Sequence, residues 1–138
     1  MRVLCDTNIV LDVVTQRDPF YASSVQVLHM IEDGELEAQI PVTSLTDIFY
    51  IVRRLSKSND KAYKAIELTR SIMKVCGVTA EDEERAFAER AKDYEDAIIA
   101  MTAESIGCDY ILTRNTADFK GFKVKPITPE VLLDKFKL

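Results

Sequence analysis

A chain of 138 residues is the length of one ordinary domain, and with 47% hydrophobic and 30% charged residues it has the composition of a globular protein rather than a disordered or fibrous one. No apolar run approaches the roughly 20 residues of a membrane span, and the N-terminus lacks a basic stretch followed by an apolar segment, so no membrane association and a cytoplasmic location are expected. The formal net charge of −5 argues against bulk attraction to nucleic acid, and Cys5, Cys76 and Cys108, far apart and without a C-x-x-C pair, signal neither a disulfide framework nor a zinc site. They read as small buried hydrophobes.

The charge is uneven: residues 53–74 hold seven Lys/Arg against two acids, and residues 114–138 hold six against three. Such stretches offer two local basic surfaces on an otherwise acidic chain, although solvated helix faces account for most of the lysines equally well.

Short apolar runs alternate with longer amphipathic ones, the pattern of a parallel sheet covered by helices. VLC predicts a first strand running directly into a helix, TNIVLDVVT. After the loop TQRDPFY, ASSVQVLHMIEDG predicts a helix closed by Gly34, and EAQIPV a second strand. SLTDIFYIVRRLS predicts a helix with Ile48, Ile51, Val52 and Leu55 on one face and its first amides capped by Ser44. KSND is a turn, KAYKAIELTRSIMKV a largely basic helix and VCGVT a short strand. EDEERAFAERAK follows with acids loaded into its first turn, as the helix dipole prefers, and DYEDAIIAMTAESIG is the next helix, ended by Gly107. YILT predicts a strand, RNTADFKG a loop and FKVKPI a final edge-like strand. Thr128 then caps a last helix with Pro129 at its first position. No repeat, low-complexity tract or second domain interrupts residues 1–138. The expected architecture is a three-layer α/β/α sandwich around a central, mainly parallel sheet.

Open α/β sheets bind ligands at the carboxyl ends of their strands, so the polar residues just after each strand are the first candidates for a site. Asp6 follows the first strand; Thr43, Ser44 and Asp47 follow the second; Thr113, Arg114, Asn115 and Asp118 follow YIL. Asp96 opens a helix whose face continues through Ala100, Ala103 and Gly107, small residues suited to packing on a sheet. That face turns Asp96 inward and leaves Glu95 and Glu104 outward. Each acid has a simpler explanation by itself: Asp6 is a good N-cap, Asp93 with Asp96 makes a weak capping box, and Asn115 and Asp118 are turn formers. The group is harder to explain. Several carboxylates converging on one strand edge repel unless protonated, which at pH 7 requires large upward pKa shifts, or neutralised by a cation. Mg²⁺ and Mn²⁺ take carboxylate oxygens and water, lower the pKa of a bound water and stabilise charge on a phosphate. The only histidine, His29, sits beside Val27 and Leu28 and reads as a packed or surface residue, so metal-assisted hydrolysis is expected rather than covalent catalysis.

The segments DTNIVLD, SLTDIFYIVRR, YEDAIIAMTAESIGCDYILTRNTADF and VKPITPEVLL together resemble a PIN domain, the metal-dependent nuclease fold of VapC-type toxins. The resemblance runs the whole length; DTN, EDAIIA and ILTRNTADF in this order and spacing carry it. It implies that Asp6 and Asp96 are metal-binding acids, with Thr7 and Asn8 beside the first and Asp93 one turn before the second. Asp47 falls where the family usually has Glu, one methylene longer. Asn115, where many members have Asp, and Asp118 compete for the fourth place, Thr113 matches a hydroxyl near it, and Arg114 is placed to meet phosphate. Ser44 lies close to Asp47. The implied activity is Mg²⁺- or Mn²⁺-dependent cleavage of single-stranded RNA to a 5′-phosphate and a 3′-hydroxyl. The implied partners are a small antitoxin protein, seated on the apolar helical surface of residues 9–55, and a second copy in a homodimer. A receiver-type phosphoacceptor domain is the weaker alternative, because Cys5 precedes Asp6 where an acidic pair is required and only Lys125-Pro126 echoes the terminal lysine. A dehalogenase-type phosphatase requires a second Asp where DTN has Asn8, which cannot act as a general acid. A PIN fold that binds RNA or protein without efficient catalysis is the third alternative.

Overall fold

The computed structural model describes residues 1–136, so the expected domain span of 1–138 includes two positions outside the described residues. The chain runs β1 (Arg2–Cys5), α1 (Thr7–Val14), α2 (Tyr21–Glu32), β2 (Glu37–Pro41), α3 (Val42–Ser56), α4 (Asn59–Ile72), β3 (Lys74–Cys76), α5 (Ala80–Glu89), α6 (Tyr94–Ser105), β4 (Tyr110–Leu112), a 3₁₀ turn (Thr116–Phe119), β5 (Lys125–Ile127) and α7 (Pro129–Lys135). The strands form one sheet in the order β3-β2-β1-β4-β5, every pair parallel.

The strands alternate as a sheet covered on both faces must. Val3 and Cys5 of β1 join Ile9, Val27, Ile40, Ile48 and Leu132 on one face, beneath α1, α2, α3, α4 and α7. Leu4 and Ile111 join Ile99, Ala100, Ala103 and Phe119 on the other, beneath α6 and the 3₁₀ turn. α5 packs on α6 through Ala86, Ala97 and Met101. The small residues of α6 let it lie close to the sheet, as the sequence suggested, and burial of a side chain such as Ile48 stabilises the fold by about 1.5–3 kcal/mol. The result is the expected three-layer α/β/α sandwich, and its sheet is wholly parallel. All three cysteines are buried and unbridged. Among the described residues, no helix is long and apolar enough to cross a membrane.

Several boundaries differ from expectation. Ser44 does not cap α3: β2 passes directly into the helix, so the cap position falls on Pro41 (φ −64°, ψ 141°), which makes no side-chain cap, and Ser44 is buried within the first turn. α4 stops at Ile72 because Met73 turns extended (φ −120°, ψ 147°). Lys74 then pairs with Gln39, so β3 begins earlier than VCGVT predicted. Leu55 is 64% exposed although Ile48 and Val52 on its expected face are buried. It lines an open groove between α1, α3 and α4 instead of closing against the core.

Candidate active site

The chain adds β2 and β3 on one side of β1, then returns to add β4 and β5 on the other. That reversal opens a crevice between the carboxyl ends of β1 and β4, where open α/β sheets hold ligands. Asp6 and Thr113 are the residues that follow those two strands. The Asp6 N–H donates to the Leu112 carbonyl at 2.9 Å, extending the ladder one residue past β1 and fixing the Asp6 backbone.

Asp6 caps α1, as expected of it in isolation: Oδ1 accepts from the Thr7 N–H at 2.8 Å. Capping uses only one oxygen. Oδ2 accepts from the Thr113 hydroxyl at 2.8 Å and from Asn8 Nδ2 at 3.3 Å. Thr113 Oγ1 in turn accepts from the Asn115 N–H at 3.0 Å, so one buried hydroxyl ties the loop after β4 to the carboxylate after β1. Burial raises the Asp6 pKa; the hydrogen bonds from Thr113 and Thr7 oppose the rise, and the Asp118 charge adds to it.

Across the crevice, Asp93 caps α6 by accepting from the Asp96 N–H at 3.0 Å. Asp96 is half-buried, and its carboxyl is pushed up to about 7, first by burial and then by the charges on Asp93, Asp6 and Asp118. Asp96 therefore feels acids from three other segments: the end of β1, its own helix cap and the 3₁₀ turn. Asp118 is exposed, and its charge acts on both Asp6 and Asp96. Asn115 is exposed and enters this network through its backbone N–H.

Asp47, half-buried on α3, meets Glu95 of α6. Glu95 is exposed, as expected, and from the start of α6 its side chain also hydrogen-bonds Asp47. That bond, followed by burial and by the charges on Asp47, Asp93 and Asp96, pushes Glu95 up to about 7. Sequence reasoning missed Glu95 because it judged α6 against the sheet alone. The first turn of α6 also faces α3, and three acids within residues 93–96 were the available signal. Glu104 does turn away, pairing with Arg85 at 3.4 Å.

The remaining candidates fall into place around this cluster. Thr7 Oγ1 and Asn8 Oδ1 are buried without hydrogen-bond partners. Ser44 makes no side-chain hydrogen bond among the described residues. Arg114, expected to meet phosphate, is engaged elsewhere: Nε lies 2.7 Å and Nη2 3.3 Å from the carboxylate of fully buried Asp12, and its guanidinium stacks 4.5 Å from the Phe20 ring. It locks the loop after β4 onto α1. A cavity of about 280 Å³ lined by Ala91, Lys92, Asp93, Ala117 and Asp118 opens between the start of α6 and the 3₁₀ turn, and Lys92 is its one lining cation.

Residues 2–117 match the family model described as PIN domain. The chain belongs to the PIN-domain family. Solved structures share its fold: VapBC2 from Rickettsia felis, bound to a DNA fragment from its promoter (TM-score 0.73, 17% identity, covering 93% of this chain and 98% of that one); a toxin–antitoxin complex from Klebsiella pneumoniae (0.68, 24%, 92% and 97%); and the sarcin–ricin loop cleaving toxin VapC20 from Mycobacterium tuberculosis (0.69, 16%, 90% and 99%). None of the curated proteins matches the sequence.

Does the cluster in this PIN domain suit a metal ion? Among the described residues, no three or more His, Cys, Asp or Glu side chains gather tightly enough to enclose one. The donor chemistry nonetheless fits a hard divalent cation held in the looser manner of Mg²⁺, by one or two carboxylates with water completing the shell. Every donor is an oxygen, neither thiolate nor imidazole is present, and the upward shifts of Asp6 and Asp96, caused first by burial and then by neighbouring carboxylates, mark groups whose ionised form a double positive charge favours.

Proposed function

We propose that this PIN domain is a Mg²⁺- or Mn²⁺-dependent endoribonuclease that cleaves single-stranded RNA, and that it is the toxin of a toxin–antitoxin pair. The observation that carries the reading is Asp96, held near pH 7 by its burial and by three neighbouring carboxylates at the strand-order reversal.

On this reading Asp6 and Asp96 hold the cation, and Asp118, whose charge acts on both, serves in preference to Asn115. A bound divalent cation lowers the pKa of water and stabilises charge on a phosphate under attack. Thr113 and Asn8 orient the Asp6 carboxylate through their hydrogen bonds. Glu95, hydrogen-bonded to Asp47 and pushed up to about 7, is suited to accept a proton from an attacking water, and Asp47 holds it in place. Asp93 holds the α6 terminus, and with it the Asp96 backbone, in place.

The toxin reading draws on the fold neighbours, among them VapBC2 from Rickettsia felis and the toxin–antitoxin complex from Klebsiella pneumoniae. It also draws on the groove of about 520 Å³ between α1, α3 and α4, where Val14, Val52, Leu55 and Leu68 offer apolar surface to a small antitoxin. α4 extends this seat beyond the residues 9–55 expected from sequence. The reading further holds that the protein works as a cytoplasmic homodimer.

Cleavage of 5′-labelled single-stranded RNA tests the activity. Wild type cleaves with Mg²⁺ or Mn²⁺ and is silent in EDTA, and Asp96→Asn is silent under all three conditions. Wild-type rates in Asp96→Asn overturn the assignment.

A further inference from the structure

The acids explain where a phosphodiester would be cut but leave unexplained how an acidic protein holds a polyanion. One surface stands apart. None of the seven Lys/Arg of residues 53–74 forms an ion pair among the described residues, although the chain carries a net charge of −5. The same α3–α4 hairpin exposes two large aromatic side chains, Tyr50 at 58% and Tyr63 at 65%. They are held in one cluster by Phe49, whose ring lies edge-on 5.4 Å from Tyr50 and 4.9 Å from Tyr63. The Arg53 guanidinium sits 5.3 Å from the Tyr50 ring, and Arg70 shares a groove of about 540 Å³ with Tyr63, Ile66, Glu67 and Ser71.

The strip is continuous with the candidate site. Asp47, Tyr50 and Arg54 stand at positions i, i+3 and i+7 of α3 and so share a face; Tyr50 lies about 5 Å and Arg54 about 10 Å along the axis from Asp47. Exposed rings in reach of unpaired guanidinium groups are how proteins bind single-stranded nucleic acid without reading its sequence, the rings stacking on bases and the cations following phosphates. The other exposed aromatic pair, Phe87 and Tyr94, has one guanidinium, Arg90, 4.3 Å from the Phe87 ring, but lies beside an acidic helix start that carries Glu81, Glu83 and Glu84, so no basic strip continues from it.

We propose that the α3–α4 hairpin is a single-stranded RNA track, in which Tyr50 and Tyr63 stack on bases and Arg53, Arg54 and Arg70 hold the backbone that leads to Asp47. The track's role as substrate path rests on the nuclease reading; its capacity to bind RNA does not.

Fluorescence anisotropy of a labelled 12-nucleotide single-stranded RNA, in EDTA so that no cleavage occurs, tests it with the full chain. Tyr50→Ala and Tyr63→Ala each weaken binding about five- to 150-fold, the range for removal of one base–aromatic stack. The double variant Arg53→Ala/Arg54→Ala weakens binding and lowers the slope of log affinity against log salt by about 1.4, at about 0.7 for each phosphate no longer neutralised. Lys135→Ala, which removes an exposed cation at the opposite end of the sheet beside Tyr110, stays within twofold of wild type. The proposal is overturned if the tyrosine variants, folded by circular dichroism, bind as wild type does, or if Lys135→Ala loses as much affinity as the arginine pair. It is also overturned if sedimentation shows that the tyrosine variants lose self-association while keeping RNA affinity, which marks the hairpin as an interface between copies. RNA binding through the hairpin in a protein that never cleaves would sink the nuclease reading and leave the track standing. Cleavage with unchanged KM in the tyrosine variants would do the reverse.

Discussion

Thr113 is the residue on which the geometry of the crevice turns. Its hydroxyl is fully buried, donates to Asp6 Oδ2 and receives the Asn115 N–H, so a single oxygen sets the position of a carboxylate after β1 and of the loop after β4. Replacement by the isosteric valine keeps the shape, removes the donor and leaves Asp6 Oδ2 with only the longer bond from Asn8. Thr113→Val is expected to lower unfolding free energy in urea by about 1.5 kcal/mol, the scale of a hydrogen bond to a charged group. An unchanged midpoint would mean that the Asp6 carboxylate does not need this donor. The sequence makes Asp6 and Asp96 conspicuous because each occupies a position with a local rule: the residue after a buried strand, and the first turn of a helix with a small-residue face. Glu95 escapes such rules. Its importance lies in Asp47, which is distant in sequence and meets it only through the side chains at the starts of α3 and α6. Arg114 escapes them for the same reason, since its partner Asp12 lies one strand away on α1.

At the scale of elements, α6 and α3 present their acidic ends to each other and to the end of β1, and the consequence is a stability that depends on pH. Asp96 and Glu95 are both pushed up to about 7, and Asp6 is also raised, whereas the unfolded chain titrates such groups near pH 4. Between those values the folded state binds more protons than the unfolded one. Their contribution to stability is therefore complete below about pH 4 and is lost as pH rises through about 7. In metal-free buffer the melting temperature should fall from pH 5.5 to pH 8.5, with a smaller fall in Asp96→Asn, and Mn²⁺ should recover most of the loss at pH 8.5. Asp82, whose pKa is lowered by hydrogen bonds from Ser105 and Thr79 despite its burial, acts only at more acid pH. A melting temperature that stays level or rises across this interval would contradict the raised carboxyls. Where elements begin and end was legible wherever a local signal existed: the left-handed Gly34 and Gly107 after α2 and α6, and the Thr128 cap with Pro129 on α7. The start of β3 was not legible, because Lys74 becomes strand only through pairing with Gln39 of β2.

At the scale of the molecule, alternating apolar runs were enough to give a parallel sheet between two helical layers, since both periodicities are local. The strand order was not readable. It depends on which side of β1 each strand joins, and it is this order that brings β4 beside β1 and so turns scattered acids into one cluster. The same long-range packing leaves Leu55 on an open groove where its periodicity placed it in the core. The most direct test of the central claim, that Asp6 and Asp96 form one divalent-cation site, is calorimetric titration of metal-free protein with Mn²⁺ at pH 7.5. Wild type should bind, and Asp6→Asn and Asp96→Asn should each abolish the heat while remaining folded. Binding of wild-type strength in both variants would contradict the account.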